Sequence, residues 1–163
     1  MEADNHKKFL KNPNRFLEKI GTFFPEEMNL MKDGPAIDFT WVRKEACGTV
    51  IYIMSETCSF CKYDAIKEFA DKYNKFSHLI FLYGSEEYKE QIKEEYGISI
   101  PIELTDLKEI GEKLYIELVP TMISMNRVGQ IITCGSFNNE VESLEMRMEP
   151  FLNVYYSLEN VKK

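Results

Sequence analysis

Gly48-Thr49-Val50-Ile51-Tyr52-Ile53-Met54, then Ser55-Glu56-Thr57-Cys58-Ser59-Phe60-Cys61, then Lys62-Tyr63-Asp64-Ala65-Ile66-Lys67-Glu68-Phe69-Ala70-Asp71-Lys72-Tyr73: this stretch decides the fold. Its first part is a short unbroken apolar run rich in β-branched and aromatic residues, the pattern of a strand buried on both faces. Its last part repeats Ile66, Phe69, Ala70 and Tyr73 at helical spacing, with Lys67, Glu68, Asp71 and Lys72 opposite, and predicts an amphipathic helix with one buried face. Cys58 and Cys61 stand between strand and helix. The expectation is that Cys58 meets the helix N-terminus, where unpaired N–H groups and the positive end of the macrodipole favour a thiolate, with Cys61 one turn deeper. Strand, C-x-x-C and helix in this order read as a dithiol redox site.

The whole chain is consistent with that reading. Its 163 residues suit one domain with a sizeable core plus an extension. Hydrophobic residues at 44% and charged residues at 29% describe a chain that folds. The net charge of −7, with Lys and Arg scattered, gives no electrostatic basis for binding nucleic acid. Cys47, Cys58, Cys61 and Cys134 are too few for a disulfide scaffold. No apolar run approaches the roughly 18 residues of a spanning helix, and residues 1–30 lack a signal-peptide core. As written, the chain is expected to be soluble and cytoplasmic; an extracytoplasmic domain with its leader or anchor removed would read the same way.

On the N-terminal side, Asn12-Pro13 predicts a helix start, and Phe16, Leu17, Ile20, Phe23 and Phe24 recur on one face until Pro25. Residues 1–33 are read as an N-terminal helical extension packed on a domain of residues 34–163. With Lys7, Lys8, Lys11, Arg15 and Lys19, the sharper reading of the same arm is a partner-docking or membrane-proximal one. Gly34 to Trp41 predicts an opening turn and a first edge strand.

On the C-terminal side, Leu79-Ile80-Phe81-Leu82-Tyr83 is a second apolar run, which completes a parallel βαβ unit. Tyr88, Ile92 and Tyr96 mark a helix that ends at Gly97, and Ile98 to Leu104, interrupted by Pro101, predicts an edge strand. Thr105 is expected to cap a helix carrying Leu107, Ile110 and Leu114. Leu118 to Met125 and Gln130 to Cys134 read as a β-hairpin. Asn139 with Glu142 reads as a capping box that opens a last helix, with Val141, Leu144, Met148 and Leu152 inward and Pro150 expected to kink or split it.

This order of elements resembles the thioredoxin fold, an α/β architecture with a mixed central sheet flanked by helices. Within it the chain most resembles the bacterial membrane-anchored or periplasmic thiol-disulfide oxidoreductases of the TlpA/ResA type, over residues 34–152. The resemblance rests on Cys58-Ser59-Phe60-Cys61, on Val119-Pro120-Thr121 and on the helix–strand–helix between them. Gly34-Pro35-Ala36-Ile37-Asp38-Phe39 and Asn126-Arg127-Val128-Gly129 are similar to that family's opening motif and hairpin turn. The resemblance implies that Pro120 is cis opposite the cysteine pair and turns the backbone of Val119 outward to pair with substrate. Thr121, Phe60 and Ser59 would share that substrate-binding surface. It also implies that Asp64 accepts a proton or tunes the thiols; an exposed Asp64 paired with Lys67 is the plainer alternative. Four features depart from the family: Thr57 replaces a tryptophan, Ser59-Phe60 replaces a proline-containing insert, the proline that follows the acidic residue in the family is missing after Asp64, and Tyr52 stands where thioredoxins bury an aspartate.

The reading is a thiol-disulfide oxidoreductase that exchanges a Cys58–Cys61 dithiol with client disulfides, as reductase more than oxidase. Its expected partners are a client protein or peptide carrying a disulfide and an unidentified redox partner, and the protein is expected to be a monomer. No cofactor or metal is expected. Zinc would need a second ligand pair, which neither Cys47 nor Cys134 supplies, and copper delivery would need wider cysteine spacing and a distal histidine, with only His6 and His78 present. The alternatives are a non-catalytic thioredoxin-like interaction module and a peroxiredoxin-like peroxidase, which would require proline at Ile51. Cys47 and Cys134 read as small buried hydrophobes, or else as a second disulfide. The aromatic tail from Phe151 to Tyr156 reads as packing.

Overall fold

The computed structural model describes residues 15–156. β3 (Thr49–Ser55) is buried along its entire length, as its continuous apolar run requires. It lies between a parallel β4 (Ser77–Tyr83) and an antiparallel β6 (Thr121–Met125). β5 (Ile102–Leu104) extends the parallel side and β7 (Ile131–Ser136) the antiparallel side, in the order β5-β4-β3-β6-β7. This is the mixed sheet of a thioredoxin-like fold.

Alternate side chains of β3 feed two cores, because successive residues of a strand point to opposite faces. Val50, Tyr52 and Met54 meet Ile66 and Phe69 of α1 (Asp64–Lys72), Ile92 of α2 (Glu86–Tyr96) and Leu144, Met148 and Phe151 of α4 (Val141–Tyr155). Ile51 and Ile53 meet Ile110 and Leu114 of α3 (Leu107–Leu114), together with Phe24, Met28, Leu30, Phe39 and Val42. Each fully buried apolar side chain of this size stabilises the fold by about 1.5–3 kcal/mol. Gly48 enters β3 at φ +119°, where an added Cβ would run into the carbonyl of Met125, so the approach of β3 to β6 requires glycine.

Several local expectations are corrected. The helix start expected at Asn12-Pro13 lies outside the described residues. Of the expected helical extension, the described part forms just a short 3-10 helix, Arg15–Lys19. Gly21 then adopts φ +86° and ends the helical run, so the expected single apolar face is divided: Phe23 bridges Gln130 on the surface while Phe24 is fully buried. The strand expected near Gly34 is β2 (Ala36–Asp38), but it pairs with β1 (Glu27–Asn29) in a separate two-stranded sheet rather than edging the main one.

Thr105 does not cap α3; its buried hydroxyl has no partner, and Asp106 Oδ1 accepts from Lys108 N at 2.8 Å instead. The charged acceptor one residue closer to the helix prevails. α4 begins after Glu140 without a side-chain cap, because Asn139 is engaged elsewhere. Pro150 does not split α4. The carbonyl it cannot bond belongs to Met146, which is 77% exposed, so solvent can replace the missing N–H. Cys47 packs against the α1 core and Cys134 lies in the opposite one, so the sheet separates them and they do not pair.

Candidate active site

The chain leaves β3 through two successive turns rather than directly into a helix. Ser55 Oγ accepts from Thr57 N at 3.2 Å and pairs with Thr57 Oγ1 at 2.9 Å. Cys58 N donates to Ser55 O, and Cys61 N to Cys58 O, each at 3.2 Å. Such hydroxyl–backbone bonds compete with helix formation. α1 therefore opens only at Asp64, six residues beyond Cys58, and the expected position of Cys58 at the helix N-terminus, with Cys61 one turn deeper, is overturned. The helix N-terminus is capped from across the fold. Asn139 Oδ1 accepts from Ala65 N at 3.2 Å, and Asn139 Nδ2 donates to Asp64 Oδ2 at 3.3 Å.

The two thiols differ in exposure. Cys58 is half-buried and its Sγ donates toward Val119 O at 3.7 Å, while Cys61 is 4% exposed. Burial, and after it the adjacent Cys58 thiol, push Cys61 up to about 12, so it is a thiol at neutral pH. The Val119–Pro120 peptide bond is cis, and Pro120 and Thr121 are buried behind Val119. The Thr121 hydroxyl donates to Leu118 O at 2.7 Å and so fastens the loop. Phe60 is 80% exposed beside an exposed Ser59, and Leu118 is 62% exposed.

Cys58, Cys61, Val119, Pro120 and Thr121 are thus gathered at one end of the sheet. Asp64 is also near but is held by Asn139; Lys67, its expected partner, pairs with Asp71 at 2.6 Å instead. Among the described residues, no three His, Cys, Asp or Glu side chains gather to hold a metal ion.

Tyr52 is fully buried, and its hydroxyl lies 3.0 Å from His78 Nδ1. His78 Nε2 faces Tyr73 O at 3.0 Å, and a carbonyl only accepts, so Nε2 carries the proton and Nδ1 accepts from Tyr52. Burial lowers the His78 pKa and raises that of Tyr52 well above its ordinary value, so both are neutral near pH 7.

Three supporting residues were missed in the sequence. Asn139 has the signature of a local cap, and only the fold shows it capping α1. Glu56 Oε2 accepts from Ser85 N at 2.9 Å, which ties the cysteine loop to the start of α2. Leu118 carried no signal beyond its place before Val119.

No protein-family model matches the chain, and no curated protein does. Solved structures do. A thiol:disulfide interchange protein from Bacteroides sp. is 15% identical with a TM-score of 0.61, covering 85% of this chain and 93% of its own. A thiol:disulfide interchange protein of the thioredoxin family from Chlorobium tepidum is 13% identical with a TM-score of 0.60, covering 81% and 97%. A conserved protein of uncharacterized function from Geobacillus kaustophilus is 19% identical with a TM-score of 0.62, covering 83% and 82%. Together with the mixed sheet and its flanking helices, these likenesses establish that the chain has the thioredoxin-like fold.

Proposed function

We propose that the protein is a thiol-disulfide oxidoreductase acting on disulfide-bearing protein or peptide clients, chiefly as a reductase of the TlpA/ResA type. The observation that carries this reading is the half-exposed Cys58, with Cys61 buried next to it and the Val119 carbonyl 3.7 Å from its Sγ. The Cys58 thiolate attacks one sulfur of the client disulfide, forming a mixed disulfide and releasing the other client sulfur as a thiolate. Cys61 then loses its proton and attacks the Cys58 sulfur. The Cys58–Cys61 disulfide forms, the second client sulfur leaves, and two electrons pass from the pair to the client.

In this reading Val119 offers its backbone to the client, with Pro120 and Thr121 holding that loop. Phe60 and Ser59 add contact area beside Cys58, and the Asp64 carboxylate, held by Asn139, tunes the thiols through its charge. A reducing direction is favoured because Cys58 stands ahead of the first helical turn, where the macrodipole that stabilises a reduced, oxidising-type pair acts weakly. The names of the structural neighbours in Bacteroides sp. and Chlorobium tepidum agree with this activity.

The test is a redox titration in dithiothreitol and glutathione buffers, with thiols counted by mass after alkylation. A reversible Cys58–Cys61 couple near thioredoxin's roughly −270 mV is expected. A couple near roughly −120 mV would reverse the direction, and the lack of any couple would leave a non-catalytic interaction module.

A further inference from the structure

A cleft lies on the far side of the cis-proline loop, sharing Leu118 and Thr121 with it and otherwise lined by residues the exchange chemistry does not use. It lies at the β7 edge, where the N-terminal 3-10 helix, the loop before β6 and α4 meet. Phe16, Leu17, Leu118, Thr121, Cys134 and Arg147 line it, and its volume is about 240 Å³, enough for one large side chain. Leu17 and Leu118 are 45% and 62% exposed and give it an apolar mouth. Leu118 adjoins Val119, whose carbonyl is 3.7 Å from Cys58 Sγ, so the cleft and the attacking sulfur share the loop before β6.

Among the described lining residues, Arg147 is the cation. Arg147 Nε donates to Ser136 O at 3.1 Å, and the guanidinium lies over the backbone of Gly135, where an added Cβ would come within 2.7 Å of Cζ. Among the described residues Arg147 forms no ion pair, and its planar fork suits a carboxylate. In a chain of net charge −7, an unpaired arginine beside apolar walls selects an acidic ligand locally where the rest of the surface disfavours one.

We infer that this cleft is a client subsite: it takes a bulky apolar side chain with a neighbouring carboxylate, both from the extended segment that carries the client cysteine. The inference rests on the thiol-disulfide reading and adds the chemistry of the client to it. The peptide backbone would lie along Val119, its cysteine at Cys58, its apolar side chain between Leu17 and Leu118, and its carboxylate on the Arg147 fork.

The test uses the full chain in its reduced form and short peptides with one cysteine, activated as the mixed disulfide with thionitrobenzoate, whose release is read by absorbance. A Leu-Glu pair is placed at each position two to four residues either side of the cysteine, with Leu-Lys and Ala-Glu counterparts. Each rate is divided by the same variant's rate with the small neutral disulfide dithiodipyridine. At the best position the Leu-Glu peptide should exceed both counterparts by about fivefold, the scale of an exposed ion pair or a partly buried side chain. Arg147→Glu should invert the Glu-over-Lys order. Gly135→Ala keeps every charge but displaces the guanidinium, and should erase the Glu preference alone. Equal rates at every position, or a Glu preference that survives Arg147→Glu, overturn the subsite while leaving the exchange activity intact. Failure of dithiodipyridine to oxidise Cys58 overturns the exchange activity itself, and the subsite with it.

Discussion

Cys61 and Cys134 are a matched pair with opposite fates. Each is a buried thiol, 4% and 6% exposed, and burial pushes each up to about 12. Acidity therefore does not distinguish them. Cys61 has the half-exposed Cys58 thiol beside it and an exposed loop above, whereas Cys134 faces Ile123 across β6 and β7 and has a guanidinium, not a thiol, as its charged neighbour. The comparison teaches that, in the proposed reading, what sets Cys61 apart is a second sulfur within reach, not special acidity.

The largest expected effect separates the two cysteines outright. Cys61→Ala should abolish the reversible disulfide and leave Cys58 locked to a client, visible as a stable adduct by mass, whereas Cys134→Ala should titrate like the wild-type chain. A Cys61→Ala protein that still cycles, or a Cys134→Ala protein that does not, would break the comparison. The second effect is kinetic. With Cys61 pushed up to about 12, its thiolate fraction rises about tenfold per pH unit, so resolution of a preformed mixed disulfide should accelerate about tenfold per unit between roughly pH 7 and 9 in stopped flow. A flat profile would mean that a neighbouring base, such as Asp64, takes the proton during attack.

The next effect concerns the core beneath Cys61, which holds the Tyr52–His78 hydrogen bond. Tyr52→Phe leaves His78 Nδ1 buried without a donor and should cost about 1–3 kcal/mol in urea unfolding. His78 also sets a pH dependence. Burial depresses its folded pKa below the unfolded value of about 6.5, so the unfolded chain binds the proton more readily. Stability is full above about pH 6.5 and falls as the pH drops below it; replacing His78 with Gln should flatten that slope. The smallest effect is Cys134→Ala, expected to lower stability by about 1 kcal/mol, the scale of one buried methylene-sized group, with no change in redox titration.

The fold was largely legible because its elements carry strong local patterns. The continuous apolar run of β3 has no other low-cost location than a strand covered on both faces, and Ile66, Phe69 and Ala70 define the buried side of α1 by spacing alone. The C-x-x-C and Val119-Pro120-Thr121 also pointed to the same end of the sheet. What failed was each feature decided by competition between nearby partners. The Ser55 hydroxyl and carbonyl took the backbone N–H groups of Thr57 and Cys58 into turns, Asp106 outcompeted Thr105, and Gly21 ended a helix that Phe23 and Phe24 would have continued.

By itself, then, the sequence determined the strand, the helix, the dithiol spacing and the proline loop, because burial of an apolar face and the chemistry of two adjacent thiols depend on residues close in the chain. Only the tertiary structure decided that Asn139, 75 residues from Asp64 in sequence, caps α1, that Cys47 and Cys134 lie on opposite sides of the sheet, and that Arg147 reaches the cleft beside Leu118. Those contacts join side chains far apart in the chain. Their geometry is fixed by how α4 packs against β7 and α1, and no local pattern encodes that packing.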